Sequence, residues 1–334
     1  MLRSLRIENF KRFRSLDIPQ LKRVNLISGR NNTGKTALLE AIMLLLDGQN
    51  KFSNLPNIFR MGGELGNANE NFWRWLLPDK NLSLGAILGG QLDGFSEPYE
   101  VGLLGSKFLW PERDTFRIFD RASSNGSIEF QIAQQEVSGV PSFHLPDSGH
   151  RVSALSTRPS DPQQDAANYD RVVLKKGAEA RLEKLLRKLE PRLLSVRSIK
   201  PHGASLIYVD LGLDEKIPAV HLGQGFNRLL AIYSEILASG SNVLLIDEIE
   251  NGIHHEILPD VWKGIRELAE SENIQVFATT HSWECVVAAH ETYAETLDYD
   301  FALHRMVEVE GDVSVQTLGK EALEASIKGL IDVR

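Results

Sequence analysis

Apolar and polar positions alternate over 2–10, "LRSLRIENF", and this period of two predicts a strand. A short apolar run, "RVNLISG", predicts a second, buried strand ending at a glycine, so residues 2–28 read as strands. "KTALLEAIMLLLDG" then carries apolar residues on more than one face, which predicts a buried helix stopped by Gly48. Residues 50–80 are irregular and rich in Asn and Gly. Between 83 and 133 the runs "EPYEVGLLG", "TFRIFD" and "SIEFQIA" alternate again and predict an antiparallel meander. Residues 141–170 hold Pro, Ser and Asp with no sustained period, the pattern of a long surface loop or mobile segment. Leu182, Leu185, Leu186, Leu189 and Leu193 recur at helical spacing and predict an amphipathic helix over 177–195, with Pro191 near its end.

From 222 the pattern changes. A glycine turn opens the helix "LGQGFNRLLAIYSEILAS", the strand "NVLLID" follows, and then a helix, "HHEILPDVWKGIRELAES", interrupted or kinked at Pro259. A second buried strand, "IQVFATTHS", and a closing hairpin, "FALHRMVEVEGDVSVQTL", complete the chain. Strands alternating with helices predict a parallel sheet covered by helices. There is no internal repeat.

Composition narrows the classes. The 334 residues are 42% hydrophobic and 25% charged, ordinary for a globular protein with a substantial core. A net charge of −8 argues against a surface coated in basic residues for bulk nucleic-acid binding. Residues 171–200 run the other way, with ten lysines and arginines against three glutamates. That stretch reads as a solvated face or as a contact for a partner protein or nucleic-acid phosphates. The single cysteine, Cys285, allows no intrachain disulfide and excludes a Cys-rich zinc module, which fits a reducing, cytoplasmic location. The basic N-terminus lacks the apolar run of a secretory signal, and no stretch of 18 apolar residues predicts a membrane span.

Three motifs carry chemistry. Gly29-x-x-x-x-Gly34-Lys35-Thr36 lies between a predicted strand and a predicted helix. Glycines let consecutive backbone N–H groups turn inward onto phosphates. Lys35 supplies a point charge to the β and γ phosphates, and the Thr36 hydroxyl can take a place around magnesium. The plain alternative is an ordinary glycine turn, which the strand–loop–helix order argues against. "VLLIDEIE" ends an apolar strand on Asp247, placed to hold magnesium, and Glu248, placed to polarise an attacking water as general base. "VFATTHS" puts His281 at the end of a further apolar strand, within reach of a γ-phosphate or the hydrolytic water.

With "LRIENFKRF" at the start and "GRNNTGKT", "LGQGFNRLL", "VLLIDEIENGIHHEI" and "VFATTHS" in that order, the chain resembles the ABC-type ATPase heads of the SMC, RecF and OLD (overcoming lysogenization defect) group. The resemblance covers about residues 1–48 and 220–334 and is nearest to OLD-like ATPases. It implies an α/β fold of the P-loop NTPase ABC-head type: a mostly parallel core sheet flanked by helices, an antiparallel N-terminal β lobe and a short helical arm insertion. On this reading residues 1–334 form one ATPase domain, with a loop and short arm at 134–200. It further implies ATP and Mg2+ as cofactors and a magnesium-dependent ATPase activity. Nucleotide binding falls to the Walker A residues Gly29, Arg30, Asn31, Asn32, Thr33, Gly34, Lys35, Thr36 and Ala37, with Asn31 toward the γ-phosphate. Thr36 and Asp247 become the metal ligands, Glu248 the base and His281 the switch histidine.

The same resemblance makes Leu222, Gly223, Gln224 and Gly225 a signature that contacts ATP bound to a second subunit, so a homodimer is implied. Gly223 stands where many signatures have serine, which removes a hydroxyl from that contact. Glu250 to His255 match the D-loop, with His254 where many ABC proteins have aspartate. The Q-loop is expected within "NENFWRWLLPD". Related OLD proteins continue into a Toprim nuclease domain; only 34 residues follow Asp298 and Asp300, so that domain is not expected here. Neither Glu250 with His254 as a metal pair nor Cys285 as a nucleophile is favoured. The functional expectation is a dimeric switch that controls a separate nuclease or toxin subunit in antiphage defence. A RecF-like DNA-repair ATPase using 171–200 and a non-hydrolysing assembly scaffold are the alternatives, and no membrane partner is expected.

Overall fold

Alternation at the N-terminus becomes a hairpin. β1 (Leu5–Phe10) pairs antiparallel with β2 (Phe13–Ile18), burying Leu5, Ile7 and Phe10 and leaving Arg6 exposed. The structure is a computed structural model that describes residues 1–52, 55–59, 75–81, 84–109, 112–120, 127–133, 136–141, 148–158, 161–201, 203–238 and 240–329. β3 (Val24–Gly29) is buried at every position and feeds α1 (Lys35–Lys51), itself buried from Ala37 to Gly48. The helix does not stop at Gly48. It bends at Asp47 (φ −143°, ψ 28°) and runs on to Lys51, because the Asp47 carboxylate accepts the Val152 amide (3.1 Å) and the Asn50 side chain (2.6 Å).

After α2 (Leu55–Phe59) come β4 (Ala86–Gly90), β5 (Tyr99–Leu109), β6 (Glu112–Asp120), β7 (Ser127–Ala133) and β8 (Glu136–Pro141). With β1 and β2 they form the expected antiparallel lobe, in the order β2-β1-β4-β5-β6-β7-β8.

The reading of 141–170 as a loop is overturned. β9 (Val152–Leu155) is an edge strand of the core sheet, and α3 (Pro162–Leu174) follows, capped by the Asp161 carboxylate on the Gln163 amide (2.9 Å). The helix hid because its buried apolar face is only Ala166, Tyr169 and Val172 among polar residues, with Asn168 also buried. α4 (Ala178–Leu186) is shorter than the predicted 177–195. It lies on the core through Leu182 and Leu186, and the chain then turns, with the Arg187 guanidinium donating to the Leu193 carbonyl (2.7 Å). A small antiparallel sheet, β10 (Ser195–Ile199), β11 (Leu206–Asp210) and β12 (Ile217–Pro218), leads on to α5 (Gln224–Ala238).

β13 (Val243–Ile246), α6 (Leu258–Ser271), β14 (Gln275–Thr280), α7 (Trp283–Ala294), β15 (Phe301–Val309), β16 (Asp312–Leu318) and α8 (Lys320–Lys328) finish the chain. Pro259 does not kink its helix. It sits in the first turn of α6, where its missing N–H has no intrahelical partner to lose. The core sheet runs β16-β15-β3-β14-β13-β9, all neighbours parallel except the β15–β16 hairpin. Strand alternation divides the core in two. Ile27, Val243, Leu245 and Phe277 face α1 and the antiparallel lobe; Leu26, Leu244, Ile246, Val276 and Ala278 face α5, α6 and α7. Cys285 is wholly buried in the second half, and burial pushes its thiol up, so it packs and does not react. Among the described residues no helix is long and apolar enough to cross a membrane.

Candidate active site

The carboxyl ends of β3, β13 and β14 bring the three motifs together. At the end of β3 the chain turns through Asn32 (φ 63°) and Gly34 (φ 100°) into α1. A side chain at Gly34 would be strained in that conformation and would strike the Phe13 ring, so glycine is required twice over. Lys35, though on a helix, folds back into the loop. Its Nζ donates to the carbonyls of Gly29 (2.8 Å) and Arg30 (3.0 Å) and stands 3.3 Å from His281 Nδ1. Burial lowers the Lys35 amine to about 8, against the opposing pull of Asp247, Glu248 and Glu250.

Beyond β13, Asp247 is fixed from both sides. Its Oδ2 accepts the Thr36 hydroxyl (3.0 Å) and its Oδ1 accepts the Thr279 hydroxyl (2.6 Å). Glu248 holds the left-handed conformation (φ 49°), with its amide on Thr279 Oγ1 (2.8 Å). His281 Nε2 lies 3.3 Å from Glu248 Oε1. One ring nitrogen, Nδ1, thus faces the Lys35 amine and the other, Nε2, faces the Glu248 carboxylate.

Of the predicted residues, Asn31, Asn32, Gly34, Lys35, Thr36, Ala37, Asp247, Glu248 and His281 line one cavity of about 550 Å³. Gly29, Arg30 and Thr33 stand behind it, the first two as acceptors for Lys35 and Thr33 as a buried hydroxyl on the Arg30 carbonyl (2.9 Å). Leu222, Gly223, Gln224 and Gly225 do not line it. Gly223 and Gln224 border a separate cavity of about 970 Å³ with Asn227, Arg228 and Asn251. The two regions are joined behind the scenes: Arg228 donates to the carbonyls of Asp247 (2.7 Å) and Glu248 (3.3 Å). Gly225 also lies so near the Gly252 carbonyl that a Cβ there would come within 2.7 Å of it.

Two cavity residues were not predicted. Lys11 and Arg12, at the β1–β2 turn, line the cavity, ion-paired to Glu40 and Glu308 respectively. Their only signal is two adjacent cations at a hairpin tip. Of the Q-loop stretch, residues 69–74 lie outside the described residues, and 75–79 do not line the cavity. Asp300 is occupied by the Arg23 amide (2.9 Å) and guanidinium (3.5 Å).

The donor set fits magnesium. A hydroxyl and a carboxylate, hard oxygen ligands, meet at the amino end of a helix beside a lysine. A family model described as "AAA domain, putative AbiEii toxin, Type IV TA system" matches residues 24–286, well over half of the chain. The chain belongs to this AAA-domain family. A relative from Helicobacter pylori, described as an ATP/GTP phosphatase, is 23% identical over 90% of both chains. Among solved structures, an SMC head bound to the C-terminal winged-helix domain of ScpA superposes with a TM-score of 0.59 at 14% identity, covering 98% of this chain and 99% of that one. An SMC head with an extended coiled coil, bound to the C-terminal domain of ScpA from Pyrococcus furiosus, gives 0.55 at 11% identity over 99% of both. The AAA-domain chain thus shares the P-loop NTPase fold of SMC heads and is an ATPase.

Proposed function

We propose that the protein is an OLD-like, magnesium-dependent ATP switch that closes as a homodimer and governs a separate nuclease or toxin subunit in antiphage defence. One observation carries the dimer: the phosphate loop lines a cavity to which Leu222 to Gly225 contribute nothing. A site whose signature points elsewhere in its own chain is completed by a second copy.

On this reading Lys35 exchanges the loop carbonyls for phosphate oxygens, with the loop's N–H groups around them. Thr36 and Asp247 would hold magnesium, which when bound would draw off the charge developing on the phosphates. Glu248 takes the proton of the attacking water. His281 Nε2, on Glu248 Oε1, orients the carboxylate and leaves its other oxygen for the water. Closing two heads and reopening them after hydrolysis changes shape, and that change is what a partner subunit reads. The family description, which names a toxin, supports the defence setting.

The DNA-repair alternative draws less support. In 171–200, Arg181, Arg187, Lys188, Arg192 and Arg197 are each ion-paired to Glu272, Glu183, Asp260, Glu190 and Glu179. Five of the ten cations of this stretch are thus engaged by carboxylates of the fold itself. The test is light scattering of the purified chain with a non-hydrolysable ATP analogue and magnesium, with and without the product of the neighbouring gene. The expected result is a dimer that forms with wild type and not with Lys35→Ala, and that captures the neighbouring product. A chain that stays monomeric at every nucleotide concentration refutes the switch.

A further inference from the structure

We infer that Glu250 is a positioning residue of this site, whose carboxylate holds the backbone of His281 and so keeps the imidazole on Glu248. This rests on the roles assigned above to Glu248 and His281.

Regular pairing between β13 and β14 ends at Ile246 and Ala278. Beyond it, besides the Thr279 hydroxyl on Asp247 Oδ1 (2.6 Å), the two segments stay fastened by three further hydrogen bonds. The Glu248 amide donates to Thr279 Oγ1 (2.8 Å), the Ile249 amide to the Thr279 carbonyl (3.0 Å), and the His281 amide to Glu250 Oε1 (2.7 Å). The first two secure the Glu248 side to Thr279. Only the third secures His281 itself. Its ring meets Glu248 and Lys35 at 3.3 Å each, distances that a small drift of the backbone would open.

Glu250 is held for the task. The Asn251 amide donates to the Glu248 carbonyl (3.0 Å) and the Ile253 amide to the Glu250 carbonyl (2.9 Å), closing the turn around it. Its second oxygen, Oε2, is buried with no hydrogen-bond partner. Enclosing a carboxylate oxygen without a donor costs free energy, and the bond of the other oxygen to the His281 amide is what the side chain makes in return. Glu250 does not line the phosphate-loop cavity, so it acts through His281 and not on the substrate.

The test separates reach from charge. Glu250→Gln keeps an oxygen acceptor at the same distance; Glu250→Asp keeps the charge and withdraws the oxygen. Folding is checked by circular dichroism, and ATP affinity by calorimetry alongside steady-state turnover. Glu250→Asp is expected to lower kcat about 10- to 100-fold with ATP affinity within about twofold of wild type, and Glu250→Gln to recover most of the loss. Glu250→Asp combined with His281→Ala should be no slower than His281→Ala. Normal turnover in Glu250→Asp, a Gln variant as slow as the Asp variant, or an additive double variant overturns the inference. Normal turnover in His281→Ala instead refutes the role given to the histidine.

Discussion

In the middle of the core sheet the imidazole of His304 is enclosed. Its Nε2 faces Asn25 Oδ1 (3.1 Å), its Nδ1 faces the Thr317 hydroxyl (3.0 Å), and burial lowers it to about 4. Two strands across, just past the carboxyl end of β14, the imidazole of His281 is one-third exposed between a carboxylate and an amine. The partners in the sheet interior are neutral and already committed: Asn25 also bonds the backbone of Lys22 through both ends of its amide. At the strand ends the partners are charged and border open space. The same residue type is silenced in one place and available in the other, and what differs is where the pleat ends.

Replacing Glu248 by Gln tests the strand-end half of that contrast and carries the largest effect. Turnover should fall by about 10²- to 10⁴-fold while ATP stays bound, as read by single-turnover hydrolysis and calorimetry. Hydrolysis at the wild-type rate would leave the strand ends no more reactive than the interior. The interior half is tested by acid. The unfolded chain takes up a proton on His304 near pH 6.5 and the folded chain only near 4, so stability is full above 6.5 and declines as pH falls through that window. The loss is at most about 3 kcal/mol. Denaturant melts from pH 7 to 4.5 should show this slope in wild type and a flatter one in His304→Gln; parallel slopes would break the comparison. The smallest effect concerns Lys35. Well below pH 8 it is charged without nucleotide; above that it is neutral, while bound phosphate favours the charged form. ATP binding should therefore take up no proton at pH 7 and close to one at pH 9, measured by calorimetry in buffers of different ionisation enthalpy. Lys35→Arg should abolish the difference.

The strand-end chemistry was legible because each motif is local. An apolar strand followed at once by its reactive residue places Lys35, Thr36, Asp247, Glu248 and His281 without knowledge of the rest. What escaped depends on contacts between distant segments. Lys11 and Arg12 line the cavity from the β1–β2 turn, where Arg12 and Phe13 lie against Gly34. β9 is four residues long, and its place beside β13 is a tertiary fact. Asp47 bends α1 through a bond to Val152, far along the chain. Pro259 resembles a break in the sequence because proline marks the start of a helix and the interruption of one by the same symbol, and only the hydrogen bonds before it tell which.

The close approach of Gly225 to the Gly252 carbonyl has a consequence for how this molecule can change over generations. Backbone touches backbone there, with no side chain between to yield. A methyl group added at position 225 meets a peptide, not a rotamer, and the loop carrying Glu250 must retreat to admit it. Position 225 is therefore closed to every residue with a Cβ for as long as that loop keeps its place, whatever residue stands at 252.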